Sequence, residues 1–179
     1  ALSLIDVSPT SIPVASPGST ATVTVTALDA GGNPTSVGAP ATLVLTPTAG
    51  SIGTVTYNGD DTYTATYTGT SSMADSPVAI TGTINGITIT DTATVTFTPG
   101  LAAQLIVSTQ PAAGTAQSGQ PLDTQPVVEV ADQFGNRITD DSSTSVTATL
   151  VGSPGTLGGT STLTATAGVV TFTDLQINS

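Results

Sequence analysis

The side chains able to do chemistry in this chain of 179 residues are nearly all carboxylates: eleven Asp and Glu129, against one cation, Arg137. There is no His and no Cys. Without imidazole or thiolate, the chain has no general base of the commonest kind and no thiol nucleophile. It equally lacks a His or Cys ligand set for zinc, copper or haem. Carboxylates alone can do less. Facing each other across a glycosidic bond they can hydrolyse it, and gathered with amide oxygens they can bind calcium. The adjacent pairs Asp60-Asp61 and Asp140-Asp141 do neither by spacing, because neighbours on one loop point apart. Solvated turns suit them better. The stretch from Asp132 to Asp141 packs Asp132, Asp140 and Asp141 with Asn136 into ten residues. These three, with Asp91, are the weak calcium candidates, although the D-x-D-x-D-G order of a calcium loop is missing. The expectation is no enzyme and no cofactor, with calcium ranked below plain turn capping.

The net charge of -11 and a single Arg leave nothing to neutralise phosphates, so nucleic acid is not an expected partner. No run approaches the roughly 20 apolar residues of a membrane-spanning helix, so no membrane insertion is expected either. The chain opens at Ala1 with no basic-then-apolar leader, which reads as a processed or excised piece. Charged residues make up only 7%, too few for the usual disordered chain.

The elements that must carry these residues are strands. Thr occurs 38 times, beside 19 Gly and 12 Pro; Thr favours strands, while Gly and Pro favour turns. Alternation is plain in Thr22-Val23-Thr24-Val25-Thr26-Ala27, in Thr62 to Thr68, in Ser145 to Leu150 and in Ser161 to Ala167. A period of two marks antiparallel strands with one buried and one wet face. Strands recurring at short spacing with turns between them indicate a sandwich or barrel. Asn85-Gly86, between two apolar alternating runs, predicts a type I′ hairpin. Carrying that register outward sets Asp91 opposite Ile80, on the core side. A bare buried carboxylate is expensive, so a bulge is expected to turn Asp91 out.

An internal repeat divides the chain. Asp29, Gly32 and Asn33 recur as Asp132, Gly135 and Asn136, each 103 residues later. Leu4-Ile5-Asp6-Val7 is echoed by Leu105-Ile106-Val107, and Val55-Thr56-Tyr57 by Val170-Thr171-Phe172. The expected domains are residues 1–99 and 100–179. Asp29 and Asp132 are expected to cap their turns by side-chain to backbone bonds, with Asn33 and Asn136 tolerating left-handed φ. After Phe172 only seven residues remain, where 40 follow Tyr57 up to Phe97, so the second domain is expected to lack its last strands.

These motifs resemble bacterial immunoglobulin-like repeats. The D-x-x-G-N turns carry the resemblance, and Asn58-Gly59-Asp60-Asp61-Thr62-Tyr63-Thr64-Ala65 is similar to the invasin/intimin type. The second copy, from Ala103-Gln104-Leu105 to Val128, resembles repeats of giant surface adhesins. The resemblance implies an all-β fold of two tandem immunoglobulin-like sandwiches, and a tyrosine corner at Tyr63, near the start of the sixth strand. It also implies an extracellular, cell-surface location. The implied function is a non-catalytic spacer whose partners are neighbouring repeats of the same protein. Two alternatives stand beside it: a strand-exchanging filament or surface-layer subunit that self-assembles through the incomplete second domain, and an accessory binding module of a secreted hydrolase. With only six aromatic residues to form a sugar-binding face, the last is the weakest.

Overall fold

The structure, a computed structural model, describes residues 2–14, 19–35, 37, 42–73, 76–112, 117–152 and 154–178. All regular elements it describes beyond a single turn are strands. The chain divides into two units, Ala1–Thr98 and Pro99–Ser179.

Unit 1 contains β1 (Leu4–Ser8), β2 (Ser11–Pro13), β3 (Thr20–Thr26), β4 (Leu43–Pro47), β5 (Ser51–Ile52), β6 (Thr56–Tyr57), β7 (Thr62–Thr68), β8 (Val78–Ile84), β9 (Ile87–Thr88) and β10 (Ala93–Thr98). One sheet runs β1-β3-β7-β5, with β6 also on β7, and the other runs β2-β10-β8-β4, with β9 on β8. All pairings are antiparallel except β2 with β10. The alternation decides which face is buried. In β3 the valines Val23 and Val25 are fully buried while the Thr between them face outward, and β10 buries Ala93, Val95 and Phe97 in the same way. Small β-branched side chains thus build a sandwich core with little aromatic content, in which Tyr63, Tyr67 and Phe97 are the bulkiest fillers.

At the hairpin, Asn85 and Gly86 take φ of 50° and 78°, the pair of positive values a type I′ turn requires. Ile84 pairs with Ile87 and Thr83 with Thr88, and the Ile89 amide donates to the Gly82 carbonyl. The ladder then breaks and resumes with Ala93, not Asp91, opposite Ile80. Two extra residues preserve the parity of Ile89, Ala93, Val95 and Phe97 while lifting Asp91 out of the ladder.

Unit 2 contains β11 (Gln104–Thr109), β12 (Val127–Ala131), β13 (Ser145–Thr147), β14 (Thr156–Gly158), β15 (Thr162–Thr164), β16 (Val169–Thr171) and β17 (Gln176–Asn178). Its sheets are β11-β12-β16, β13-β15 and β14-β17. Its core gathers Val128, Val130, Val146, Ala165, Val170, Phe172 and Leu175. The strand register corrects two sequence alignments. Val107 pairs with Val128 as Ile5 pairs with Val25, so Leu4-Ile5 matches Ile106-Val107 and not Leu105-Ile106. Val128 pairs with Val170 as Val25 pairs with Tyr63, and Thr156 pairs with Asn178 as Ser51 pairs with Thr68. Val170-Thr171-Phe172 therefore takes the place of Tyr63-Thr64-Ala65 and not that of Val55-Thr56-Tyr57. Together β16 and β17 occupy the place of β7. The interruption between them is bridged by Gln125, whose amide takes the Leu175 N–H and gives to the Leu175 carbonyl. Among the described residues, unit 2 has no counterpart of β8 or β10.

Candidate functional site

The two D-x-x-G-N turns have one geometry. In the first, Asp29 Oδ1 accepts from the amides of Gly31 (2.7 Å) and Asn33 (3.0 Å). In the second, Asp132 Oδ1 accepts from Phe134 (2.9 Å) and Asn136 (3.0 Å). The backbone closes identically, Gly32 N–H to the Asp29 carbonyl and Gly135 N–H to that of Asp132. The left-handed position is held by glycine, Gly32 at φ 80° and Gly135 at 87°. This corrects the expectation for Asn33 and Asn136. A left-handed φ costs glycine least, which leaves each Asn free to donate its side-chain amide to the Asp instead.

The copies differ in surroundings. Asp29 lies at the surface, and the Asn33 backbone amide, then its side chain, hold its carboxyl below the usual carboxylate range. Asp132 is 0% exposed. Its Oδ2 accepts from the Gly100 amide at 2.9 Å and from Asn136 Nδ2 at 3.0 Å, and its carbonyl accepts from Gln104 Nε2 at 2.7 Å. Burial pushes its carboxyl up, yet the donors of Gly100, Asn136 and Phe134 outweigh that, and the net shift is downward. Both oxygens are occupied by N–H donors, so the site is built as an anion clasp that ties the start of unit 2 to its own first turn. No sequence signal marked Gly100 as its partner, 32 residues away.

The other acids serve separate turns. Asp141 Oδ1 accepts from the amides of Ser143 (2.9 Å) and Thr144 (3.0 Å) and from the Ser143 hydroxyl (3.1 Å). Its Oδ2 is buried without a partner. The Thr144 side chain first, then the amides of Ser143 and Thr144, lower its pKa to about 2. A depressed carboxylate contributes stability that is complete above its unfolded value and lost as pH falls through the folded one. The Asp141 contribution should therefore hold down to about pH 4 and disappear on acidification through about 2. A carboxyl-carbon NMR titration of Asp141 with a midpoint at or above 3.8 would contradict this. Asp140 lies at an exposed turn. Among the described residues, no three acidic side chains come together as a metal site would require.

Asp91 is half-buried and its Oδ2 accepts the Ile5 amide of β1 at 2.8 Å. The bulge thus redirects the carboxylate to an edge amide of the other sheet. Because one partly wet bond is at stake, Asp91→Ala should cost about 1 kcal/mol. A loss above about 2 kcal/mol in a urea titration, the scale of a buried network, would show that Asp91 holds more than this bond.

Tyr63 does not make the corner bond. It sits on β7, in the sheet of β1 and β3, because the short β5 and β6 share one edge and leave β8 to begin the strand across the sandwich. Its hydroxyl is buried with no hydrogen-bond partner. Burial first, and then the neighbouring Tyr57, raises its pKa above the ordinary phenol value. Its ring instead meets Tyr57, with centroids 5.0 Å apart. The hydroxyl-to-backbone bond comes from Tyr67, which donates to the Ala49 carbonyl at 3.1 Å.

Comparison with known proteins fits this architecture. Residues 1–100 match the family model described as invasin, domain 3. The chain belongs to the invasin domain 3 family. It is an immunoglobulin-like module of the bacterial surface-adhesin type. The InvD structure from Yersinia pseudotuberculosis is similar over 98% of this chain at 25% identity and a TM-score of 0.62. The crystal structure of invasin, a bacterial integrin-binding protein, shares the fold over 98% of this chain at 21% identity and a TM-score of 0.59. The chain spans about half of the InvD structure (48%) and 34% of that of invasin. No curated protein matches it.

Proposed function

We propose that this chain is a non-catalytic spacer segment of a larger adhesin, its partners being the neighbouring immunoglobulin-like repeats of the same protein. The observation that supports it is the connection. Only residues 99–103 separate β10 from β11, and within that stretch the Gly100 amide is held by Asp132. So short a connection suits repeats strung in series along one chain. The acidic surface, with a net charge of -11, keeps such segments soluble and mutually repelling. The mechanism is passive: the repeats hold a binding tip away from the cell.

Replacing the chain in its parent adhesin by an unrelated immunoglobulin-like pair of equal length should leave cell adhesion intact, while deleting it should weaken adhesion. If the equal-length exchange abolishes adhesion, or the purified chain binds host cells by itself, the spacer reading fails.

A further inference from the structure

The sheet edges of unit 1 are protected unequally. Among the described residues, the terminal strands of its two sheets are β1 and β5, and β2 and β4. β2 is three residues long and ends in Pro13, β4 ends in Pro47, and β5 has only two residues. Shortness and proline both spoil an edge as a template for another chain, since proline offers no N–H to a ladder. β1 has neither device. It is five residues long and free of proline, and its solvent-facing row begins with Leu2 and Leu4, 54% and 51% exposed. A regular edge beside exposed apolar side chains is where edge-to-edge association ordinarily starts.

One group stands on that edge. Among the described residues β1 pairs with β3 alone, so the Ile5 amide, which donates to Asp91 Oδ2 at 2.8 Å, lies on the outer side of the strand. Alternation puts the amides of Ser3 and Val7 on the same side, with Ile5 between them. The carboxylate reaches Ile5 because the ladder of β8 resumes only at Ala93 and leaves Asp91 outside it. It takes the central donor of the edge. It also sets an anionic oxygen where an incoming strand would have to place its carbonyl.

We propose that Asp91 is an edge guard, which keeps β1 from pairing with β1 of a second copy of this chain. The strand itself selects that partner. In an antiparallel pair centred on Ile5, each Ile5 amide donates to the Ile5 carbonyl of the other copy, and Ser3 faces Val7. The same register sets Leu4 of one copy opposite Asp6 of the other, so the two Asp6 carboxylates do not confront each other. It pairs the whole strand, and it needs the one amide that Asp91 holds. The guard does not depend on the spacer reading, and its failure would leave that reading intact.

Sedimentation and amide hydrogen exchange of the whole chain, from micromolar to millimolar concentration, test the guard. In the unaltered chain, exchange at Ile5 and Val7 should not depend on concentration. Asp91→Ala should dimerise, and its Ile5 amide, open in dilute solution, should slow by about tenfold or more as concentration rises. The amides of β3 should stay slow throughout, which shows that the sandwich is intact. Charge in place of Leu4 then reports the register, because cross-strand charge pairs favour or oppose association according to sign. With Asp91→Ala in place, Leu4→Lys should tighten the dimer and Leu4→Asp should loosen it, so that their dissociation constants differ by about tenfold or more. An Asp91→Ala chain that stays monomeric at millimolar concentration overturns the proposal. So does a dimer whose Ile5 exchange ignores concentration, or one that the two Leu4 variants affect alike, since either would place the contact elsewhere. An unaltered chain whose Ile5 and Val7 amides already slow with concentration overturns it as well, because Asp91 would then guard nothing.

Discussion

Truncating Tyr67 to alanine should lower the stability of unit 1 by about 4 kcal/mol, the range for removing a fully buried aromatic side chain. Tyr67 is 0% exposed, pairs opposite Ala21 and Ile52 within its sheet, and sends its hydroxyl to the Ala49 carbonyl. The backbone is shaped to receive it. Gly50 sits at φ 79°, and a Cβ there would run into the Thr68 carbonyl and the Tyr67 ring. The hydroxyl alone should account for about 1 to 2 kcal/mol on Tyr67→Phe, because the Ala49 carbonyl would be left without its donor. Tyr63→Phe provides the contrast. Its hydroxyl is buried and unpartnered, so removing it should change stability by less than about 0.5 kcal/mol or raise it slightly. All three tyrosines lie in unit 1, so tyrosine fluorescence in a urea titration reads this unit specifically. Equal losses for Tyr63→Phe and Tyr67→Phe would contradict the assignment.

Asp132→Ala should destabilise unit 2 by about 3 kcal/mol, because it leaves several amides without an acceptor in a site closed to water. The amides concerned are those of Gly100, Phe134 and Asn136. Asp132→Asn separates two roles of the residue. An Asn oxygen can still cap Phe134 and Asn136, but its amide would face the Gly100 N–H, donor against donor. That variant should lose about half as much stability while its Gly100 amide exchanges as fast as an exposed one. The depressed pKa of Asp132 adds a pH signature. Its contribution is complete above the ordinary Asp value and fades as pH falls through the lowered one. An alanine variant as stable as the parent, or an unchanged Gly100 exchange rate in the asparagine variant, would rule out the clasp. The same substitution at Asp29, whose bonds lie at the surface, should cost about 1 kcal/mol.

Much of the architecture is local and so was legible in the residues. Alternation in Thr22 to Ala27 decides which face of β3 is buried, because successive side chains on a strand point to opposite sides. Asn85-Gly86 sets a turn since few other pairs accept two positive φ values. The D-x-x-G-N motif closes on itself within five residues, whatever surrounds it. Even the bulge at Asp91 followed from parity and the cost of burying a charge. Tyr63 and Tyr67, by contrast, share a strand and a face. Only the loop that passes beneath one of them, bringing Ala49 to Tyr67, decides which hydroxyl is satisfied. Asp29 and Asp132 have the same motif, and only the approach of Gly100 buries one and leaves the other in water. Val170-Thr171-Phe172 matches two different segments of unit 1 by pattern, and the pairing with β12 selects one. In each case the sequence determined the conformation of a few consecutive residues, where sterics and turn chemistry act within the chain. The tertiary structure decided their partners, because an alternating strand presents the same face to any neighbour and only the closed sheets choose among them.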